Sequence, residues 1–250
     1  MRATALLPCA GTGRRLGLPY PKELLAIGPG RLLIDETLDL LHATHAPLDG
    51  VVLVVDDPSR PTVSYVTSRL ADLPVCVVRQ SAEGTAWTSA VHSATAWLGA
   101  QTLVLLPDQL VRPIPGTDPL RWALATLADH PISFLAHRQP DPTLLASDGA
   151  LKIVDHYGIP TVGDYAERPG ARADRFDSAW VAVALRLPES LAALDAMHRM
   201  LTTCPPVPPA ELRRAGILGA PVAYVACYQD LGTWANVRAH WYRQTQEATP

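Results

Sequence analysis

The residues best suited to chemistry near the start of the chain follow an apolar run, in the stretch LLPCAGTGRRLGLPYPKELLAIG at positions 6–28. Gly11 and Gly13 leave the backbone bare after that run, so its N–H groups could approach phosphate oxygens. Arg15 and Lys22 add positive charge close behind. Lysine is scarce in this chain, and a compact ammonium fits where a planar guanidinium would not. The pattern predicts a loop that binds a polyphosphate, with a solvated basic turn as the alternative.

Two aspartates stand where apolar runs end. Asp108 closes the stretch LVLLPDQL, and Asp230 lies in CYQDLGTW before a helical pattern. In open α/β sheets, ligands bind beyond the carboxyl ends of the strands. A carboxylate at such an end is placed to bind Mg²⁺, a hard ion that prefers oxygen ligands and bridges phosphates. Asp108 alone would also be consistent with an ordinary turn, so its assignment depends on a second ligand.

The opening stretch resembles the signature loop of the nucleotidylyltransferases with a GT-A-like fold, such as the sugar-1-phosphate nucleotidylyltransferases. Their pattern is Gly-x-Gly-Thr-Arg-Leu, a variable spacer, then Pro-Lys and a Leu-rich stretch. The matching residues are Gly11, Gly13, Arg15, Leu16, Pro21 and Lys22, with Arg14 in place of the threonine. The resemblance implies that Arg15 and Lys22 are catalytic. It also implies that Ala10, Gly11 and Gly13 bind the nucleotide.

Two further segments fit the same family in the correct order. RQSAEGTAW at 79–87 resembles the base-reading stretch, which implies that Gln80, Gly84 and Thr85 contact the nucleotide. The Gln80 amide can both donate and accept, as a pyrimidine edge requires. The segment after Gln229 resembles the family's Asp-x-Gly-Thr element. That resemblance implies that Asp230 completes the Mg²⁺ site with Asp108.

The segment YAERPG at 165–170 resembles the family's Glu-Lys-Pro element, which holds the sugar and its phosphate. The resemblance implies that Glu167 accepts hydrogen bonds from sugar hydroxyls and that Arg168 binds the phosphate through two N–H donors. Arg168 replaces the family's lysine. Ala179 and Trp180 stand where a Gly-Ile/Leu-Tyr strand is usual, so we assign Trp180 to the acceptor pocket, with plain core packing as the open alternative.

The resemblance implies an enzyme that transfers a nucleotidyl group from an NTP to a phosphorylated small molecule and releases pyrophosphate. A sugar 1-phosphate is the first candidate for this acceptor. The short spacer before Pro21 is also similar to that of cytidylyltransferases acting on polyol or alcohol phosphates. A glycosyltransferase of the same broad fold usually binds metal through an Asp-x-Asp pair, whereas PDQL has one aspartate. A regulatory module without activity is the remaining alternative, and the joint presence of Arg15, Lys22, Asp108 and Asp230 argues against it.

The elements that must position these residues alternate between strand and helix in the first half of the chain. Short Val- and Leu-rich runs predict strands buried on both faces of a parallel sheet, and amphipathic patterns predict helices between them. In the second half, Asp148-Gly149 predicts the turn of a β-hairpin. The predicted strands are 3–9, 50–56, 75–78, 102–107, 132–137, 178–187 and 221–228, and the predicted helices are 34–45, 59–72, 84–98, 188–201 and 233–246.

This order predicts an α/β fold, a single-domain Rossmann-like (GT-A-like) mixed sheet flanked by helices. We expect one nucleotidyltransferase domain over residues 1–250. Residues 1–130 would mainly bind the nucleotide. Residues 131–250 would mainly bind the acceptor and supply the second metal aspartate.

Composition limits the partners. A formal net charge of −3 and a pI near 6.2 give no reason to expect nucleic acid or an anionic membrane. No apolar run approaches the roughly 20 residues that span a bilayer. The four cysteines, Cys9, Cys76, Cys204 and Cys227, are scattered without metal-ligand spacing, which indicates reduced core thiols and a cytoplasmic location. The expected partners are an NTP and a phosphorylated small-molecule acceptor, with a homo-oligomer left open.

Overall fold

The computed structural model describes residues 3–11, 13, 15–81, 84, 86–202 and 207–247. Strands occur throughout these ranges, and most are short. They are β1 (Ala3–Pro8), β2 (Ala26–Gly28), β3 (Arg31–Leu32), β4 (Leu48–Val55), β5 (Val75–Arg79), β6 (Gln101–Leu105), β7 (Gln109–Arg112), β8 (Ile132–Arg138), β9 (Gly149–His156), β10 (Ile159–Glu167), β11 (Ser178–Arg186), β12 (Val222–Tyr224) and β13 (Cys227–Asp230).

The helices lie between the strands and at the C-terminal end of the described chain. They are α1 (Leu33–Ala43), α2 (Pro61–Arg69), α3 (Trp87–Ala94), α4 (Pro119–Thr126), α5 (Pro142–Leu145), α6 (Leu191–Thr202), α7 (Pro209–Arg214) and α8 (Trp234–Glu247). Proline at the first positions of α2, α4 and α5 suits a helix start, because its missing N–H has no partner there. Within the described ranges, each helix is too short or too polar to cross a bilayer.

A nine-stranded mixed sheet forms the centre of the fold. Its main path runs β10-β9-β11-β6-β1-β4-β5, and β8 and β12 lie off this path, with β8 also pairing β11. The β6-β1-β4-β5 part is parallel, whereas β11 runs antiparallel to β6 and β8. The predicted mixed sheet flanked by helices is confirmed, and the same sheet runs through both halves of the chain.

The central strands are buried on both faces, as their apolar runs predict. Successive side chains alternate between two large clusters of buried residues. In β1, for example, Leu6 joins one cluster and Ala5 and Leu7 join the other. Helices α3 and α6 cover the first face, and α1, α2 and α4 cover the second.

Two predictions for the second half were wrong. Asp148-Gly149 is not a hairpin turn, because the preceding apolar pair belongs to α5, a short helix that Asp141 caps by accepting from Thr143 N at 2.8 Å. The hairpin turn lies instead at Tyr157-Gly158, between β9 and β10, where both residues have positive φ. The single strand predicted at 221–228 is two short strands in different sheets: β12 pairs with β8, and β13 pairs with β7.

The candidate site residues of the first half lie at one edge of the sheet. Parallel strands β6, β1, β4 and β5 end there in spatial order. The glycine stretch follows β1, Asp108 follows β6, Arg60 follows β4 and Gln80 follows β5. This is the edge at which open α/β sheets place their ligands.

Candidate active site

The glycine stretch wraps around the side chain of Lys22. A Cβ added to Gly11 would lie 3.5 Å from Lys22 Cε, and one added to Gly13 would lie 3.3 Å from Lys22 Cβ. Gly13 also has a φ of +59°, which side chains rarely tolerate. Glycine at these two positions therefore lets the loop close over the lysine. Ala10 lies beside this loop and is partly buried, whereas Thr12 and Arg14 lie outside the described residues.

Pairing of β7 with β13 brings the two predicted metal aspartates together. In that register Asp230 lies opposite Gln109, the neighbour of Asp108. Leu231 N donates to the Asp108 carbonyl at 3.1 Å, and Gly232 N donates to Asp230 Oδ1 at 2.8 Å. These backbone contacts hold two carboxylates side by side that are 122 residues apart in the sequence.

Lys22 and Arg15 supply the opposing charge. Lys22 Nζ forms an ion pair with Asp108 Oδ2, and the two side chains are only 19% and 15% exposed. A Cβ added to Gly232 would lie 3.0 Å from Arg15 Nη2 and 2.9 Å from Asp230 Oδ1, so the guanidinium and this carboxylate flank the same glycine. We call Arg15, Lys22, Asp108 and Asp230 the charged cluster.

Electrostatics within the charged cluster follow from its partial burial. Burial lowers the pKa of Lys22, but the charge and hydrogen bond of Asp108, with Asp230 behind it, outweigh that effect and raise the pKa overall. Burial also raises the pKa of Asp230, and the Asp108 carboxylate raises it further against the opposing effect of Arg15 and Lys22. Lys22 is therefore charged at neutral pH, and the two aspartates form a site that favours a cation.

A clamp on the glycine loop was missed by the sequence reasoning. Arg60, just before α2, donates from Nη1 to the Cys9 carbonyl at 2.7 Å and from Nη2 to the Gly11 carbonyl at 3.3 Å. Thr62 in the same turn donates to Glu23 Oε1 at 2.7 Å, and Glu23 is fully buried beside Lys22. The start of α2 thus holds both ends of the loop. The signals available were a Glu directly after Lys22 and an arginine four residues after the predicted strand 50–56.

The predicted base-reading stretch begins where β5 ends. Gln80 Nε2 donates to the Gly84 carbonyl at 2.7 Å and so closes a turn. Gly84 has a φ of +92°, and a Cβ there would lie 2.3 Å from Ser89 Oγ, so the turn requires glycine. Thr85 lies outside the described residues. Contact of Gln80, Gly84 and Thr85 with a base stays a prediction.

The predicted acceptor residues form a separate, mostly buried group. Glu167 Oε1 accepts hydrogen bonds from the Tyr165 hydroxyl and, at 3.2 Å, from Trp180 Nε1. Burial raises the pKa of Glu167 to about 7 against those hydrogen bonds. Trp180 is 4% exposed and packs edge-on against Trp87 with ring centroids 5.3 Å apart. Trp180 is therefore a core residue that also orients Glu167, and its direct contact with an acceptor stays a prediction.

Arg168 differs from Glu167 in being exposed, and its φ of 49° is unusual for a residue with a side chain. Its backbone N–H donates to the Asp148 carbonyl at 2.9 Å, which fixes this turn against the start of β9.

A cleft of about 560 Å³ extends from the charged cluster to Asp148, whose carbonyl accepts from Arg168 N. Its walls come from β13, from α8 and from the segment around α5. Arg15 and Asp230 line one part, and Asp148 and Tyr228 line another. Asp148 was not predicted as a site residue, because its pairing with Gly149 indicated a turn. Cys227, expected among core thiols, is exposed and lines the same cleft.

Comparison with known proteins agrees with this geometry. A family model described as the MobA-like NTP transferase domain matches residues 5–131, about half of the 250-residue chain. A 2-C-methyl-D-erythritol 4-phosphate cytidylyltransferase of Burkholderia vietnamiensis is 30% identical over 188 residues, which are 72% of this chain and 69% of the relative. The same enzyme of Ectopseudomonas mendocina is 35% identical over 147 residues, 57% of this chain and 60% of that protein. The chain thus spans about 60% of the length of the first curated relatives it matches.

Solved structures show the same fold over nearly the whole chain. UDP-glucose pyrophosphorylase complexed with UDP-glucose superposes with a TM-score of 0.75 at 16% identity, over 99% of this chain and 100% of that one. UTP-bound UGPase from Acinetobacter baumannii gives a TM-score of 0.69 at 17% identity, over 100% and 95%. At such identities the likeness shows the fold alone, and it confirms the predicted Rossmann-like nucleotidyltransferase architecture.

Fold and family together define a nucleotidyltransferase-type domain. The chain belongs to the MobA-like NTP transferase domain family.

Proposed function

We propose that the protein transfers a nucleotidyl group from an NTP to a phosphorylated small molecule and releases pyrophosphate. A sugar 1-phosphate is the first candidate for this acceptor. The charged cluster is the observation that carries this proposal. It combines two cations and two carboxylates beneath a glycine loop, at the ligand-binding edge of the sheet. That set suits phosphoryl chemistry, in which positioning and charge stabilisation do most of the catalysis.

In this reaction an oxygen of the acceptor phosphate forms a bond to the α-phosphorus of the NTP. The bond from that phosphorus to the bridging oxygen breaks, and its electron pair leaves with pyrophosphate. No nucleophile of the enzyme is required. Arg15 would grip the β- and γ-phosphates, and Lys22 would lie near the α-phosphate and the incoming phosphate, where it lowers the repulsion between two anions.

Mg²⁺ fits the paired carboxylates of Asp108 and Asp230. Among the residues that the structure describes, no group of three or more His, Cys, Asp or Glu side chains could hold a metal ion. Two carboxylates suffice for Mg²⁺, which keeps several waters and takes further oxygens from substrate phosphates. The raised pKa of Asp230 supports this fit, because a bound cation would relieve the repulsion between the carboxylates. When bound, the ion would draw charge from the α-phosphate.

The division of labour along the chain is part of the proposal. Residues 1–130 would mainly bind the NTP, with Gln80 and the turn at Gly84 beside the base. Residues 131–250 would mainly bind the acceptor, with Glu167 and Arg168 on one side of it and Asp230 at the reacting end. The cleft that contains both Arg15 and residues of the later half supports this arrangement.

A second candidate is a cytidylyltransferase that acts on a polyol phosphate. The sequence relatives at 30–35% identity carry that activity in their names. The solved structures that cover the acceptor half instead include UDP-glucose pyrophosphorylase. Because that likeness concerns the fold alone, an experiment on substrates is needed to distinguish the two candidates. The family match favours both over glycosyl transfer.

A substrate matrix tests the proposal. Purified protein is mixed with Mg²⁺, with each of ATP, CTP, GTP, UTP and dTTP, and with a panel of phosphorylated sugars, cyclitols and polyols. Pyrophosphate is the readout, and Asp230→Asn serves as the inactive control. A sugar 1-phosphate with one NTP supports the first candidate, and CTP with a polyol phosphate supports the second. Release of nothing but inorganic phosphate would contradict both.

A further inference from the structure

A carboxylate outside the charged cluster faces the cleft with few partners. Asp148 lines the cleft together with Arg15 and Asp230, and Arg15 is close enough to lower the pKa of Asp148 in part. Among the described residues, the hydrogen bond to its side chain comes from the Tyr228 hydroxyl to Oδ2, at a long 3.4 Å. Within the described ranges, Asp148 takes part in no ion pair. A carboxylate has about four acceptor positions, so most of its capacity is unused.

Keeping Asp148 ionised in this place costs free energy. Burial raises its pKa to about 6, and the nearby Asp230 carboxylate adds to that effect. A side chain that only closed a turn would be exposed to water and would not carry this cost. Costly polar groups in a cleft are typical of ligand recognition.

The backbone holds Asp148 against the predicted acceptor segment. Its carbonyl accepts from Arg168 N at 2.9 Å, and Gly170 N donates to the Ala146 carbonyl at 3.0 Å. The next residue is fixed as well, because a Cβ on Gly149 would lie 1.7 Å from Trp180 Nε1. Asp148 thus has a set position between the predicted acceptor residues and the charged cluster.

The rest of this part of the cleft suits a ligand rich in hydroxyl groups. Gln139, Thr143, Ser147 and Asn236 line it with amides and hydroxyls. Its volume of about 560 Å³ lies in the range of small-molecule sites. A phosphate would be repelled by Asp148, so the phosphate of an acceptor belongs near Arg15, the cation of the charged cluster that lines the cleft.

We propose that Asp148 is a specificity-determining residue, which accepts a hydrogen bond from an O–H or N–H group of the acceptor at the end away from its phosphate. This inference rests on the proposed nucleotidyl transfer and deepens it. Acceptors with a hydroxyl or an ammonium group opposite Asp148 bind, and acceptors that lack a donor there are rejected. Rejection is strong because a missing donor leaves the carboxylate unpaired in a desolvated place.

The test is steady-state kinetics of pyrophosphate release by Asp148→Asn and Asp148→Ala. Wild type and variants are compared with glucose 1-phosphate, its monodeoxy series, glucosamine 1-phosphate and every other acceptor that the substrate matrix reveals. Asp129→Asn, which changes an exposed aspartate away from the cleft, is the matched control. Melting temperatures of all variants establish that they fold, and the isosteric Asn variant serves if Ala does not.

We expect Asp148→Ala to raise the acceptor KM about ten-fold or more, the effect of one lost hydrogen bond to a charged group, with the NTP KM unchanged. With wild type, the KM of one monodeoxy acceptor should be raised by a similar factor. With the variant, removing that hydroxyl should raise the KM no further. If the donor is an ammonium group, Asp148→Asn should be as impaired as Ala with glucosamine 1-phosphate. If it is a hydroxyl, Asn should retain part of the affinity, since its amide oxygen still accepts.

Two other results would overturn the inference, and they differ. Wild-type pyrophosphate release together with an unchanged acceptor KM in both Asp148 variants would show that Asp148 does not select the acceptor, and the proposed function would stand. Absence of pyrophosphate with every substrate pair would overturn the proposed function and the role of Asp148 with it.

Discussion

Replacing Asp230 with asparagine should make the protein more stable while removing its response to Mg²⁺. Asp230 lies opposite Gln109 in paired strands, next to Asp108, and Lys22 already pairs with Asp108. Opposed residues of paired strands lie about 5 Å apart, and two unit charges at about that spacing repel by about 3 kcal/mol at an effective dielectric constant of about 20. Lys22 and Arg15 offset most of this repulsion, which leaves about 1 kcal/mol. In a chain of this size that corresponds to a rise of about 2–4 °C in Tm.

Thermal unfolding in chelator and in millimolar MgCl₂ measures both effects. The variant should melt higher than wild type in chelator, because the asparagine oxygen can still accept from Gly232 N. Wild type should gain stability with Mg²⁺ as RT ln(1 + c/Kd), where c is the Mg²⁺ concentration, and the variant should not. Asp129→Asn controls for the loss of one surface charge. A variant that melts lower than wild type in chelator, or that still responds to Mg²⁺, would refute the metal assignment.

Four further variants test separate parts of the site. Lys22→Ala should lower kcat by about 10²–10³, the usual cost of removing one charge donor from a transition state, and a wild-type kcat would show that Lys22 is not catalytic. Arg60→Ala should lower kcat and Tm together, since it leaves two carbonyls of the glycine loop without their donor. Unchanged kinetics would show that Arg60 does not position the glycine loop for catalysis. Arg168→Ala should raise the acceptor KM about ten-fold and leave the NTP KM unchanged. A raised NTP KM with an unchanged acceptor KM would show that the division into a nucleotide-binding and an acceptor-binding half is wrong. The pKa of Glu167 is about 7 in the folded protein and 4.5 in the unfolded chain. Because the protonated side chain favours the folded state, its contribution to the free energy of unfolding is complete below pH 4.5 and is lost as pH rises through 7. Glu167→Gln should therefore gain up to about 3 kcal/mol over wild type between about pH 5 and pH 8 in urea unfolding, and a difference that does not change with pH would show that Glu167 has an ordinary pKa.

The parallel part of the fold could be predicted because its signals are local. Continuous Val- and Leu-rich runs predicted β1, β4, β5 and β6 to within a few residues, since strands buried on both faces need no polar alternation. The chain order of these strands then implied that Lys22 and Asp108 follow strand ends at one edge of the sheet.

Other features depend on contacts between distant segments. Strand β7 follows Asp108 without an apolar run of its own, and only its pairing with β13 explains why Asp108 and Asp230 meet. The misplaced hairpin has a similar cause: Asp148-Gly149 has the right residue types, but the chain before it is helical and the chain after it pairs across Tyr157.

The clamp from Arg60 and the cleft position of Asp148 could not be read from spacing either. Arg60 acts through backbone carbonyls of a loop far away in sequence, and carbonyls carry no sequence signal. Asp148 lines a cleft whose other walls include β13 and α8, which come late in the chain, and burial there raises its pKa. Both effects are properties of the folded surroundings and not of the residue types.

³¹P NMR of the complete reaction tests whether a nucleotidyl group passes from an NTP to an acceptor phosphate. Protein, Mg²⁺, NTP and the acceptor found in the substrate matrix are followed in one tube. Pyrophosphate and a new diphosphate diester should appear together in equal amounts, and neither should appear with Asp230→Asn. Conversion of the NTP to NDP and phosphate, or to NMP and pyrophosphate without a diester, would contradict this transfer.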